Sequence, residues 1–152
     1  MSLSELLSKK IDKITKKNQG IYFTPPNIVL QNIEIINPFL STVKNILEPS
    51  CGSGEYITAL QERYPQANIV GIEKNKSIYE SILSLQNTKV DIYSQDYLEW
   101  KTHLKYDLII GNPPFYVMKK DEVNKEYYPY FEGRPNIFIL FIIKSFKLLN
   151  KQ

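Results

Sequence analysis

Asn45-Ile46-Leu47-Glu48 followed by Pro49-Ser50-Cys51-Gly52-Ser53-Gly54 is the stretch on which the fold turns. The first four residues read as a short strand, and the glycine-rich turn behind them opens a helix from Gly54 to Tyr64. The pattern then repeats. Asn68 to Glu73 is a second strand, Lys76 to Leu85 a second helix, and Val90 to Tyr93 a third strand. Tyr106 to Ile110 is a fourth strand and Ile137 to Asn150 a final helix. Strands alternating with helices of roughly ten residues indicate βαβ units and an α/β fold whose parallel sheet is covered on both faces.

Upstream, Leu3, Leu6, Leu7, Ile11 and Ile14 share one stripe at helical spacing, which predicts one amphipathic helix over residues 3–14. Gly20 ends that segment. Ile21 to Thr24 starts extended and breaks at Pro25-Pro26, and Pro26 suits the first turn of a helix through Ile28, Val29, Ile33 and Ile36. Lys119 to Arg134 reads as a polar, tyrosine-bearing loop long enough to suggest function.

A chain of 152 residues fits one domain, and 43% hydrophobic with 23% charged residues is ordinary globular composition. No apolar run reaches the ~18 residues of a membrane span, and the N-terminus lacks the pattern of a signal peptide. With one cysteine no internal disulfide can form, so a cytoplasmic, nucleoid or nuclear location is expected and secretion is not. The net charge of +3 is small, yet Lys9, Lys10, Lys13, Lys16 and Lys17 fall together. That cluster suits a phosphate-facing surface or a solvated helix face, and like-charge blocks are usually the latter.

The turn after the first strand lets a ligand approach the backbone amides, although such turns also serve packing alone. Glu73, at the tip of the second strand about 20 residues on, adds a carboxylate suited to ribose hydroxyls. Together they point to a nucleoside. The turn has neither the GxGxxG spacing of dinucleotide folds nor a P-loop lysine, and acids stand at both ends. A cofactor without phosphates therefore fits. S-adenosylmethionine carries a ribose, an adenine and a cationic sulfonium amino acid, beside which Glu48 is tolerable on charge grounds. Cys51 reads as a small turn residue, not a catalytic thiol. No metal site is expected.

The fourth strand runs into Gly111-Asn112-Pro113-Pro114-Phe115, at the end of a parallel strand where open α/β sheets place their chemistry. Pro113 and Pro114 stiffen the backbone and hold Asn112 still. An exocyclic amine conjugated to a purine is a poor nucleophile. Two acceptors aimed at its hydrogens, the Asn112 side-chain oxygen and the Pro113 carbonyl, draw its lone pair out of conjugation. Phe115 offers a face on which an extracted base can stack, worth about 1–3 kcal/mol. Direct displacement at a sulfonium carbon needs no strong base, and the single histidine, His103, is expected on a surface loop.

From Gly20 to Leu149 the chain resembles the adenine-N6 DNA methyltransferases of restriction–modification systems, in the gamma arrangement where the cofactor region precedes the catalytic one. The resemblance implies a Rossmann-like, S-adenosylmethionine-dependent methyltransferase fold acting on a flipped adenine in duplex DNA. It also implies roles. Gly20 to Pro26, with Tyr22, Thr24 and Pro25, is similar to the N-terminal cofactor-binding element, and Glu48 to Gly54, with Pro49, Ser50, Cys51 and Gly52, to the glycine loop. Gly71 to Glu73 resembles the ribose-binding strand, and Lys74 joins the implied cofactor contacts. Asp96 and Tyr97 resemble the pair beside the cofactor adenine. Asn112, Pro113, Pro114 and Phe115 match the catalytic motif, and Phe141 on the following helix the methionine pocket. The Asn-Pro-Pro-aromatic quartet is shared with release-factor glutamine methyltransferases and some RNA methyltransferases. RNA or protein-amide methylation, or a cofactor-binding remnant without catalysis, stays open, while the segment Gly20 to Pro26 favours DNA.

The family has a seven-stranded sheet followed by a target-recognition domain, whereas this sequence stops after the helix behind strand four. The expected organisation is an N-terminal amphipathic helix (1–19) and a partial catalytic domain (20–152), without target recognition. Strand four is then expected at an unpaired sheet edge, and Ile137 to Ile143 make the last helix apolar on every side. Both features suggest self-association or a complementary polypeptide.

Overall fold

A computed structural model describes residues 3–40 and 42–151; residues 1, 2 and 152, at the ends of the two expected units, and residue 41 lie outside the described residues. Four strands, β1 (Asn45–Glu48), β2 (Asn68–Glu73), β3 (Val90–Ser94) and β4 (Leu108–Ile109), form a parallel sheet in the order β3-β2-β1-β4. Register puts Leu47 opposite Val70 on one side and Ile109 on the other. Successive strand side chains point to opposite faces, so Ile46, Ile69 and Leu108 enter one core while Leu47, Val70 and Ile72 enter another. Burial on both faces explains the unbroken apolar runs.

The first core is closed by α3 (Pro26–Ile36), α4 (Glu55–Arg63) and α5 (Lys76–Ile82) through Val29, Ile33, Ile57, Leu60 and Ile82. The second is closed by α6 (Ile137–Leu148) through Ile137, Phe141 and Leu148, together with Tyr97, Trp100 and Tyr106. Each such side chain, fully buried, contributes about 1.5–3 kcal/mol. Among the described residues no helix is long and apolar enough to cross a membrane.

Four expectations are corrected. The helix expected over 3–14 is two, α1 (Leu3–Lys10) and α2 (Lys13–Gln19), because the Asp12 carboxylate accepts from the amides of Ile14 and Thr15, each at 2.9 Å, and starts a new helix. Ile14 consequently leaves the buried stripe and is 72% exposed. The second expected helix stops at Ile82 and finishes as a 3₁₀ turn over Leu83–Leu85. The Lys119 to Arg134 loop contains 3₁₀ turns at Lys120–Glu122 and Lys125–Tyr130, the latter packed on α6 through Tyr127 and Leu140.

The fourth correction concerns the edge of β4. β4 is the edge strand, as expected, but the stretch leading into it is paired: after α6 the backbone returns beside Tyr106, whose N–H donates to the Leu148 carbonyl at 2.9 Å and whose carbonyl accepts from Asn150 N–H at 2.8 Å. Tyr106 and Leu149 form a parallel bridge. The apolar surface expected on α6 is present in part. Leu140 and Phe141 are buried, while Ile142 and Phe146, one turn apart, are exposed.

Candidate active site

Beyond the carboxyl ends of the strands lies a cavity of about 590 Å³, the place where open parallel sheets bind ligands and a size suited to a small molecule. Its walls come from the turn after β1, the tips of β2 and β3, the corner after β4, and a strap over residues 20–22 that joins α2 toward α3.

Glu73 organises the β1 and β2 side. One carboxylate oxygen accepts from Gly52 N–H at 2.9 Å and the other from Asn75 N–H at 2.7 Å, so a single side chain braces the glycine turn and the entry to α5. A carboxylate oxygen has two lone pairs, which leaves acceptor capacity toward the cavity that Glu73 lines. Burial raises its pKa, and the amides of Asn75, Gly52 and Lys74 work against that rise.

Glu48 ends β1 at 1% exposure, and neither carboxylate oxygen has a hydrogen-bond partner of good geometry among the described residues. Burial, then the like charge of Glu73, pushes its pKa well up, and the nearby Ser50 amide offsets only part. The space over it is taken by backbone. A Cβ on Gly111, just beyond β4, would stand 2.4 Å from Glu48 Oε1, so a larger residue there would have to displace the Glu48 side chain. Glu48, Cys51 and Thr24 line a second cavity of about 20 Å³ that adjoins Asn112. Burial, followed by Glu48 and Glu73, pushes the Cys51 thiol well up, which agrees with a packing residue.

At the β3 side, Asp96 Oδ2 pairs with Lys74 Nζ at 2.8 Å while Oδ1 accepts from Leu98 N–H at 2.9 Å. The hydrogen bond that Lys74 donates to Asp96 raises the Lys74 pKa. Tyr97 is buried, its hydroxyl within 3.0 Å of Ser145 Oγ and its ring 4.9 Å from that of Phe141. Both rings reach the cavity wall.

The corner after β4 is held from two sides. Ser50 Oγ donates to the Asn112 carbonyl at 3.0 Å, and Asn112 Nδ2 donates to the Tyr22 carbonyl at 3.2 Å. Phe115 is 49% exposed and backed by Phe138, ring centroids 5.3 Å apart.

Of the residues expected at a site, Tyr22, Pro49, Ser50, Gly52, Glu73, Lys74, Asp96, Tyr97, Asn112, Pro114 and Phe141 line the larger cavity. Pro25, Gly54, Pro113 and Phe115 line neither cavity. Gly54 instead is the N-cap of α4, in the left-handed region at φ 77. The sequence reading passed over Asn75, Lys76 and Ser77, which bring the start of α5 to the wall. Asn75 caps that helix by accepting from Ser77 and Ile78, a signal readable as an Asn ahead of an apolar periodic segment. No cluster of metal-ligating side chains occurs among the described residues.

Residues 40–152 match the family described as Eco57I restriction-modification methylase. The chain is 37% identical over 139 residues to modification methylase CviBIII of Paramecium bursaria Chlorella virus NC1A, covering 90% of this chain and 36% of that protein. It is 28% identical to a tRNA1(Val) (adenine(37)-N6)-methyltransferase of Glaesserella parasuis, covering 57% and 39% respectively. The chain thus spans little more than a third of these relatives. Among solved structures, the plantazolicin methyltransferase BpumL with a monoazolic desmethylPZN analog and SAH superposes with a TM-score of 0.52 at 20% identity, over 71% of this chain and 44% of that one. That likeness assigns the sheet and its helices to the Rossmann-like methyltransferase fold.

Proposed function

The chain belongs to the Eco57I restriction-modification methylase family, and from that premise we propose that its cavity binds S-adenosylmethionine and that its Asn112 corner accepts the N6 amine of an adenine flipped out of DNA. The residues fit the cofactor. Glu73 keeps acceptor capacity for a ribose diol, and Asp96 and Tyr97 suit an adenine. The buried, unpartnered Glu48 carboxyl lines only the small cavity beside Asn112, next to the site that the cationic amino acid would take. When bound, the cofactor supplies an electrophilic methyl group on sulfur.

The rest of the chemistry belongs to the protein. Asn112 Oδ1 and the Pro113 carbonyl accept the hydrogens of the incoming amine and localise its lone pair, and Phe115 stacks on the base. Flipping costs a few kcal/mol, which stacking and these acceptors offset in part. Neither acceptor keeps a proton, so the one released by the methylated amine passes to water. The observation that carries the reading is the position of Asn112 and Pro114, which follow β4 directly and line the cavity. We divide the chain into an N-terminal helical unit (1–19) and part of a catalytic domain (20–152). Adenine in RNA is a second reading, favoured by the likeness to the tRNA enzyme.

The test is transfer of a tritiated methyl group to duplex DNA, RNA and protein in parallel, by the chain alone and co-expressed with any adjoining coding sequence. Label recovered as N6-methyladenine in DNA is expected. Asn112→Ala should lower transfer by about 100-fold or more, on the scale of losing one fixed polar group at a reacting centre, with cofactor affinity nearly intact. Label in protein alone, or near-normal turnover by Asn112→Ala, would contradict the proposal.

A further inference from the structure

An asparagine amide has two faces, one accepting and one donating, and only the accepting face can draw out an amine's lone pair. An NH₂ group presented to the incoming amine would oppose its hydrogens. What selects the face is therefore part of the chemistry. Asn112 Nδ2 lies 3.2 Å from the Tyr22 carbonyl oxygen. A carbonyl oxygen can only accept, so the nitrogen must face Tyr22 and Oδ1 must face away from it.

The same strap touches the other end of the corner. Gly20 sits at φ +62, and a Cβ there would lie 2.7 Å from Phe115 N and 3.1 Å from Phe115 O. Its amide is bound by the Lys16 carbonyl as the cap of α2, and Ile21 N–H donates to that carbonyl at 2.9 Å. The strap is thus fixed at its own helix and pressed on the corner at both Asn112 and Phe115. Ser50 occupies Asn112's main-chain carbonyl from the opposite side.

Resting on the methyl-transfer reading above, we propose that the Gly20–Tyr22 strap is a positioning element, its Tyr22 carbonyl locking the Asn112 amide with the oxygen toward the substrate amine. The lock predicts a sign. In Asn112→Asp a carboxylate oxygen would oppose the Tyr22 carbonyl, whereas the neutral acid can donate to it and still accept from the amine. Without the lock, the carboxylate is the stronger acceptor, and the variant should gain activity as pH rises.

Two measurements decide. The first, independent of activity, is hydrogen exchange of the Asn112 side-chain NH₂ by ¹⁵N NMR in the chain and in Gly20→Ala, whose added Cβ displaces the strap. One proton should exchange about fivefold slower than its geminal partner, as one hydrogen bond implies, and Gly20→Ala should equalise them. Equal rates in the parent chain overturn the lock. The second is the pH profile of methyl transfer by Asn112→Asp, taken as a ratio to the parent at each pH. The ratio should climb about tenfold per pH unit downward while the introduced carboxyl is mostly ionised. A ratio that is flat or rises with pH overturns the proposal even if Gly20→Ala fails to fold. A parent chain that transfers no methyl group even when co-expressed with any adjoining coding sequence counts against the methyl-transfer reading, and the exchange rates then decide the lock alone.

Discussion

Replacing Glu73 should injure the fold before it injures any ligand contact. Its carboxylate accepts from Gly52 N–H at 2.9 Å and Asn75 N–H at 2.7 Å, and hydrogen bonds to a charged group contribute about 1.5–3 kcal/mol each. Two such bonds give about 3–6 kcal/mol. Burial disfavours the charged form, as the raised pKa of Glu73 indicates, so the lower end, about 3 kcal/mol, is expected for Glu73→Ala. Glu73→Gln keeps one acceptor oxygen and replaces the other with a donor, so it should retain one bond and lose about half as much. Urea denaturation of the ligand-free chain at pH 7 reads both losses, and calorimetry with S-adenosylmethionine should add at least about 1 kcal/mol of lost affinity in Glu73→Ala. If Glu73→Ala unfolds within about 0.5 kcal/mol of the parent, the bracing role is wrong.

Glu48 and Glu73 both carry raised pKa values from burial, so the folded state holds their protons more tightly than the unfolded chain. Their contribution to stability should therefore be greatest below the unfolded value of about 4.3 and fall as pH rises toward the raised folded values. Glu48→Gln should flatten this slope and raise the melting temperature at pH 8 by about 2–4 °C for each kcal/mol relieved, and an unchanged slope in thermal melts would refute it. Gly111→Ala should cost about 1–3 kcal/mol through the 2.4 Å approach to Glu48 Oε1. Combining it with Glu48→Ala should cost less than the sum of the two, whereas additive losses in a denaturation cycle would remove the steric explanation.

The β1 turn and the tips of β2 and β4 were legible because apolar runs, glycine and proline act locally. Local reading also had the signal for the break between α1 and α2, since Asp12 stands two and three residues before the amides it caps, but the leucine and isoleucine stripe outweighed it. The partners of the site residues were out of reach. Lys74 meets Asp96 because the β2–β3 register sets Glu73 against Ser94, and no single strand encodes that register. Glu73 reads as a ribose ligand from its strand-tip position, but its use as a brace depends on Gly52, 21 residues away. The strap and Asn112 are 90 residues apart, and only the folded chain brings them together. The edge position of β4 was legible, but the pairing of Tyr106 just before it was not: Leu149 continues a helical apolar pattern yet leaves α6 to pair with Tyr106.

The most direct test of the cavity as a cofactor site is a crystal structure of the chain with S-adenosylhomocysteine. The ligand should lie over the carboxyl ends of β1 and β2, its ribose hydroxyls within hydrogen-bond distance of the Glu73 carboxylate and its adenine beside Asp96. Its sulfur should face the Asn112 corner. A ligand seated outside the cavity, or one whose ribose makes no contact with Glu73, would contradict the assignment.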